Sequence, residues 1–547
     1  MKKTPIRILV SLVVTLILAG IFFYVTLPAI NVYDQNFWIF ILLSIVCFFA
    51  VFFVLGIKYT DKTERGARLF KLGKIALSLI AIPVLVLAVG NVASSTFFNA
   101  GKYSSIIEVP EAVFEEEMPE TAIVSNIALM DSQTAQKMGD RTLGALSDVV
   151  SQYEINSTYR QINYKGTPQK VSNLEYADFF KWLSNRNKGI PGYVMVDPVN
   201  VTEANYVKLS SPIKYSESAY FGEDLYRKLR MSYPTKIFGS VSFEVDDNGN
   251  PYYIVSCMKP TVFMFGAMDV NEVIVFDPVS GNSDLYALKD VPKWVDNVFT
   301  GTLASQKYDW YGTLKNGYWN SVIGNKDCKV TTDDYGYIVI GDDVWFFTGV
   351  TSVTSDESNI GFIISNARTG EYKFYPVIGA EEYSAMRAAE GEVQEKGYVA
   401  SFPSLINVSG QATYIMVLKD SGGLVKLYAL VNVEKYSIVA TGTTQTEAKQ
   451  EYLKLLNQNG ILSGDAPQDT ETQIKSADIT VDDVRIVVSN GESIVYISGN
   501  DGNLYKQSVT ADESVMLINK GDKLTVSYFD TDIAKIMQIS EWKLKTE

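Results

Sequence analysis

The sequence predicts an α+β membrane protein: three N-terminal transmembrane helices, an ectodomain of repeated antiparallel hairpin-plus-helix units, and a small C-terminal β-barrel. Three observations carry this reading. Uncharged apolar runs at Ile8–Leu27, Phe37–Ile57 and Ile75–Val92 crowd the start of the chain, and about 20 such residues span a bilayer. From Val194 to Val431, apolar strands flank Asp, Asn and Gly turns at intervals, which is the pattern of hairpins. Beyond Ile474, short strands are divided by Asn490-Gly491, Asp501-Gly502 and Gly521-Asp522, as in a small barrel.

Residues 1–95 read as a three-helix anchor. Met1-Lys2-Lys3 and Arg7 precede a first run of 20 residues that ends in Leu27-Pro28-Ala29, longer than the roughly 7–15 residues of a signal-peptide core and without a small-residue cleavage site. A nine-residue loop with Asp34 leads to the second run, and the third contains Pro83, which a membrane helix tolerates. Between the second and third runs, Lys58, Lys62, Arg65, Arg68, Lys71 and Lys74 face only Asp61 and Glu64. The positive-inside rule puts this segment and the N-terminus in the cytoplasm, making residues 96–547 extracytoplasmic. The runs hold no charge, so an anchor is expected rather than a transport pathway. Tyr24, Trp38 and Phe97-Phe98 fit interfacial aromatics.

The formal net charge of -14 is unevenly spread: residues 1–95 carry nine Lys/Arg and three Asp/Glu, which leaves 39 against 59 for the remainder. An exterior of net charge -20 is repelled by nucleic acid, so no nucleic-acid partner is expected. Histidine is absent, which excludes Ser-His-Asp triads, Cys-His pairs and His-ligated zinc. Cys257 and Cys328 either form a disulfide in an oxidising exterior or stay as two buried thiols. No metal or cofactor motif is present, and none is expected to bind.

Residues 96–127 read as an extended acidic stalk, with Pro110, Pro119 and Glu115-Glu116-Glu117. Residues 128–459 form the α+β ectodomain. Asp131 or Ser132 caps a helix with Ala135, Met138, Leu143, Leu146 and Val150 at helical spacing. Further helices are expected at Glu175–Asn187, Leu225–Met231, Pro292–Gln306, Gly379–Lys396 and Gln445–Gln458. The strand-turn Val194-Met195-Val196-Asp197-Pro198-Val199 returns as Ile274-Val275-Phe276-Asp277-Pro278-Val279. It returns again as Ile363-Ile364-Ser365-Asn366-Ala367-Arg368-Thr369-Gly370, with Tyr206, Tyr286 and Tyr372 on the return strands. A fourth hairpin turns at Asp420-Ser421-Gly422-Gly423, and another at Asn248-Gly249. Residues 460–473 are a polar linker. Residues 474–547 carry six short strands, at Val484–Val488, Ser493–Ser498, Asn503–Ser508, Val515–Ile518, Lys523–Tyr528 and Ile533–Ile539, for an OB- or SH3-like barrel.

The Asp277-Pro278-Val279-Ser280-Gly281 and Asn366-Ala367-Arg368-Thr369-Gly370 turns give the chain its resemblance to the PepSY domain, a small extracytoplasmic module in which a helix precedes a strand, such a turn and a return strand. The Asp197–Glu203 version lacks the glycine. Gly139-Asp140-Arg141-Thr142-Leu143-Gly144 and Gly189-Ile190-Pro191-Gly192-Tyr193 resemble strings in large membrane-anchored Gram-positive envelope proteins. The resemblance implies a non-enzymatic role in restraining or regulating envelope proteins, and so an envelope protein partner.

Catalytic patterns are weak by comparison. Asp420-Ser421-Gly422 matches one half of an aspartic-protease pair but has no second copy. Ser211-Pro212-Ile213-Lys214 lacks the other motifs of penicillin-recognising enzymes. Asp246-x-Asn248-x-Asn250 starts like a calcium loop, but Pro251 stands at the glycine position. Asp333-Asp334 and Asp342-Asp343 flank one strand. The candidate ligand-binding residues are Tyr308, Trp310, Tyr311, Tyr318 and Trp319, aromatics suited to stacking on a sugar or peptide. The expected function is a non-enzymatic binding, regulatory or scaffold protein of the cell envelope. The alternatives are a carboxylate-dependent hydrolase of wall polymers and a structural subunit of a larger membrane complex.

Overall fold

The computed structural model describes residues 3–57, 65–121, 124, 127–199, 204–353, 355–462, 474–489, 492–509, 513–529 and 536–544. They form two compact units, Met1–Pro119 with Ser125–Tyr452, and Glu120–Val124 with Leu453–Glu547. Of the sequence expectations, residues 58–64 of the basic turn, 463–473 of the linker and the Asn490-Gly491 turn lie outside the described residues. The described spans and the large body fall in the same compact unit.

Among the described residues, three helices are long and apolar enough to cross a membrane: Pro5–Thr26, Gln35–Leu55 and Leu72–Ser94. The first two pack along their length, with Phe22 stacked on Phe40 at 5.9 Å. The third belongs to a helix that starts at Arg65 and runs through Pro83 to Ser94.

Hydrogen bonds fix these helices to the body. Arg230, at 5% exposure, donates from Nε to Leu27 O at 2.9 Å and from Nη1 to Tyr233 O at 3.2 Å and Lys236 O at 2.6 Å. Its guanidinium lies 4.2 Å from the Phe238 ring centre. A buried guanidinium is tolerated only when its donors find acceptors, and here the acceptors come from both the loop after the first span and the body. Ile30 N donates to Pro234 O at 2.7 Å, and Asn31 Nδ2 to Thr235 O at 2.9 Å. The loop is shaped from within by Asp34, whose Oδ2 accepts Ala29 N at 3.1 Å. At the end of the third span, Tyr103 Oη donates to Ser94 O at 2.7 Å, and Phe265 N donates to Ser94 Oγ at 3.0 Å.

Of the segment read as an extended stalk, residues 96–119 are instead folded into the body. The chain turns at Ser95 (φ -65°, ψ 154°) into a helix, Thr96–Ser104. Tyr103, Ile107, Ala112, Phe114 and Met118 are all buried. Pro110 O accepts Phe374 N, and Ala112 N donates to Phe374 O, both at 2.9 Å, so this stretch adds to a sheet edge. A proline without an N–H suits an edge position, and the apolar residues between the acidic ones supply the burial that holds the segment there.

Four open antiparallel sheets follow, in hydrogen-bonded order. The first is Tyr153–Ile155, Thr167–Tyr176, Ile190–Val196 and Ala204–Ile213, with Arg160–Tyr164 beside Thr167–Tyr176. The second is Ile237–Val245, Pro251–Val262, Gly266–Phe276 and Ser283–Ala287. The third is Lys329–Thr331, Asp343–Ser352, Ser355–Asn366 and Tyr372–Tyr375, with Gly336–Ile340 and Gly379–Ala380 on its margins. The fourth is Val399–Ala400, Gln411–Lys419, Val425–Asn432 and Val439–Gly442, with Ser404–Val408 beside Gln411–Lys419.

Each sheet contains one of the four hairpins noted in the sequence, and Val194 faces Tyr206, Val273 faces Tyr286 and Ser365 faces Tyr372 across them. The turn residue explains the geometry. Asp277 Oδ1 accepts Val279 N at 2.8 Å, Asn366 Oδ1 accepts Arg368 N and Thr369 N at 2.9 Å, and Asp420 Oδ1 accepts Gly422 N at 2.9 Å and Leu424 N at 3.0 Å. These side chains mimic the backbone of a turn, and Gly281, Gly370 and Gly423, with φ between 76° and 79°, provide the left-handed step.

Sheets one and two bury a shared core that includes Val171, Val194, Phe243, Tyr253, Val255 and Ile274. Sheet three is buried on both faces. Phe347, Phe362 and Ile364 point toward sheet four, while Phe346, Ile363 and Phe374 point toward the helix Gly301–Leu314. Alternate residues along a strand face opposite sides, so a strand covered twice reads as an unbroken apolar run.

Several helices are displaced from their expected positions. Glu175 and Tyr176 end a strand, and the helix there is Phe179–Asn185, capped by Asp178. The helix expected from Pro292 begins at Gly301, capped by Thr300. The helix expected at Gly379–Lys396 spans Glu382–Glu392, whereas Gln445–Gln458 has the expected bounds.

In the second unit five strands pair in the order Ile474–Ser489, Glu492–Gly499, Leu504–Ser508, Ile536–Leu544 and Lys523–Phe529, and the last pairs again with the first. Leu504–Ser508 and Ile536–Leu544 pair in parallel, the other described pairs being antiparallel. The strand expected at Val515–Ile518 is a 3-10 turn, Glu513–Leu517, which buries Val515.

If Arg230 carries the join between loop and body, Arg230→Ala lowers unfolding stability of the full-length protein in mild detergent by about 3 kcal/mol, and Arg230→Lys restores little because one ammonium cannot serve the Leu27 and Lys236 carbonyls together. Thermal unfolding of the three proteins checks this.

Candidate functional site

The five candidate aromatics do not form one platform. Tyr308 lies on the inner face of the helix Gly301–Leu314, at 2% exposure beneath sheet three, with Tyr311 5.8 Å away. Trp310 meets Tyr103 edge-on at 5.0 Å and so belongs to the join with the third span. Tyr318 and Trp319 lie just beyond the helix, 5.6 Å apart. Both pack on Phe97, at 5.1 Å and 5.8 Å, and Trp319 is 63% exposed. The structure therefore divides the set into core, joint and surface. Phe97 completes the surface part, and the sequence hides this because it lies more than 200 residues upstream.

Carboxyl groups were the other candidates. Glu244 and Asp296 are neighbours at 0% and 1% exposure. Glu244 accepts Asp296 N and Asn297 N, each at 2.8 Å, and Asp296 Oδ2 accepts Asn163 N at 2.6 Å. Asn297 Nδ2 also donates to Gln161 O at 2.9 Å. The pair ties the edge of sheet one to sheet two through the loop ahead of Gly301. Burial pushes Glu244 up to about 7, and burial together with the Glu244 charge pushes Asp296 well above the carboxylate range. Glu382 is likewise at 0% exposure, accepts Gly349 N at 2.6 Å, and is raised by burial to about 7. A polymer cannot reach any of these three groups, so their shifted affinities belong to the core.

A more accessible acidic site was not apparent from sequence. Glu175 is half-buried and accepts Asn156 Nδ2 at 2.7 Å. Its carboxyl is raised by burial and by the charges of Glu217 and Glu154. Glu217 accepts Tyr226 Oη at 2.6 Å. Glu175 stands at the end of the strand Thr167–Tyr176, not in the expected helix Glu175–Asn187.

The remaining motifs resolve into local structure. Asp420 is the hinge of a turn, and Asp246 accepts Asn248 N and Asn250 N at 2.9 and 2.8 Å. Asp343 takes Arg368 Nε at 2.9 Å and Nη2 at 2.5 Å, while Asp334 faces Tyr383 Oη at 3.3 Å. Among the described residues there is no group of three or more Cys, Asp or Glu side chains placed to hold a metal ion. Cys257 and Cys328 are separate buried thiols, and burial pushes Cys257 up to about 12.

Glu382 gives a pH signature. Its folded-state affinity for a proton exceeds that of the unfolded chain, so its protonated form favours folding below about pH 4.5 and that contribution is lost as pH rises toward 7. Glu382→Gln removes the titration: the variant should match wild type near pH 4.5 and be more stable by about 2–3 kcal/mol at pH 8, read as the difference in unfolding midpoints across that range.

The chain matches no protein-family model and no curated protein.

Proposed function

We propose that this chain is a non-enzymatic binding or scaffold protein of the bacterial cell envelope, with PepSY-like modules in its large body, residues 96–547 extracytoplasmic, and an envelope protein as its partner. The observation that carries the reading is the double join between the spans and the body, at Arg230 and at Ser94. An enzyme acting on a mobile polymer gains nothing from a fixed height above the membrane. A protein that presents surfaces to membrane-bound neighbours does, because fixed geometry lowers the ordering cost of each contact. The basic segment before the third span supports an outward orientation.

The hydrolase reading is favoured by one observation, the half-buried Glu175, whose carboxyl is raised by burial and by the charge of Glu217; a carboxyl that holds its proton is the acid that glycoside hydrolysis needs.

In-cell crosslinking of the full-length protein followed by mass spectrometry separates the two. The scaffold reading expects one or two dominant envelope proteins attached to residues 96–547, and wall fragments released by the purified protein but not by its Glu175→Gln variant would overturn it.

A further inference from the structure

The surface part of the aromatic cluster has unused apolar area at a telling place. Phe97 and Phe98 follow the third span within four residues of Ser94, and the chain between them turns at Ser95. Around them Phe98, Trp319, Val322 and Ile323 are exposed by 64%, 63%, 54% and 74%. Contiguous apolar surface of this kind on a soluble face marks an interaction site.

The hairpin between Pro251–Val262 and Gly266–Phe276 also meets the third span. Its tip reaches down beside the third span: a Cβ on Gly90 would lie 2.3 Å from the Phe265 ring. Gly90 is one helical turn, roughly 6 Å, before Ser94, so the tip descends below the end of the span. Phe263, at that tip, is 54% exposed and has φ +52°, a left-handed conformation unfavourable for a bulky residue. The turn thus holds a large ring in the open where Gly or Asn would fit without strain. Lys102, on the helix of Phe97 and Phe98, and Lys315 and Lys326, on either side of Trp319 to Ile323, are exposed, with the exposed Asp327 beside Lys326, in residues 96–547 of net charge -20.

We propose that Phe263, Phe97, Phe98, Trp319, Val322 and Ile323 form a foot inserted into the bilayer that the third span crosses, in the leaflet on the side of the large body, with Lys102, Lys315 and Lys326 against anionic headgroups. The commitment to lipid rests on continuity: the patch begins where the span ends, and the hairpin tip already lies alongside the span's last turn. Aromatic rings at the headgroup level and apolar side chains just below it are the composition that interfaces take, and exposed lysines on or next to the elements that carry the patch add attraction for anionic lipid. The foot gives the body a contact with lipid beside its two joins to the spans, independent of whether its role is scaffold or enzyme.

The test uses the full-length protein in nanodiscs of phosphatidylcholine and phosphatidylglycerol, with or without bromine near the glycerol end of the acyl chains. The Trp319 signal is the difference between wild type and Trp319→Phe, and Trp38, at the start of the second span, is isolated likewise with Trp38→Phe as an internal ruler. Trp319 should be quenched by brominated lipid to within about twofold of Trp38 and shielded from aqueous iodide; in Phe263→Trp the new ring should behave in the same way. Quenching of Trp38 by brominated lipid with none at Trp319 or at the new tryptophan would overturn the foot while leaving the spans intact. Protection from both quenchers would mean that a protein covers the patch, and would overturn it equally.

Discussion

Arg230 joins carbonyl groups from two parts of the chain some 200 residues apart, and the placement of the body on its spans depends on that. The guanidinium is almost fully out of water, where an unmatched charge would be prohibitive. Leu27, Tyr233 and Lys236 supply the acceptors, and the ring of Phe238 closes one face. Each partner therefore constrains the others: the loop between the first two spans cannot leave without stranding a buried cation. Ser94 repeats the device at the third span, where one residue's carbonyl and hydroxyl oxygens accept from a tyrosine and from a hairpin amide.

Above these joins the architecture follows from burial on two sides. Sheet three has cores on both faces, and sheet two is similar, with Tyr253 and Val255 facing one way and Ile254 the other. Once sheets are stacked with helices between them, turns carry the direction of the chain, and Asp or Asn at the first turn position meets that need with side-chain acceptors. The abundant aspartates of this acidic chain are partly accounted for by this work, which is why so many of the apparent catalytic fragments dissolve into turns.

How much of this was legible in the sequence follows from the physics of each signal. The spans are readable because about 20 uncharged residues have few other uses, and the hairpins because turn chemistry is local. Asp131 caps its helix through Thr134 N as its position suggested. The 96–127 segment misled because two prolines and a glutamate triplet outweigh scattered apolar residues in any local window, while Tyr103, Phe114 and Met118 are buried by partners far away in the chain. The helix expected at Pro292 failed for a related reason: Glu244 captures the amides of Asp296 and Asn297 and holds that stretch irregular until Thr300. The aromatic cluster looked like one site because its members are close in sequence, yet a helix sends Tyr308 and Trp310 to different neighbours. Phe97, the residue that gives the surface pair its context, has no sequence link to them.

If spans and body hold together as one compact unit, hydrogen exchange of the full-length protein in nanodiscs will show it. The amides of Ile30 and Phe265, bonded to Pro234 O and Ser94 Oγ, should exchange as slowly as amides in the central strands of sheet two. Exchange at the rate of an open loop, with the strands still protected, would show instead a body that moves freely on its anchor.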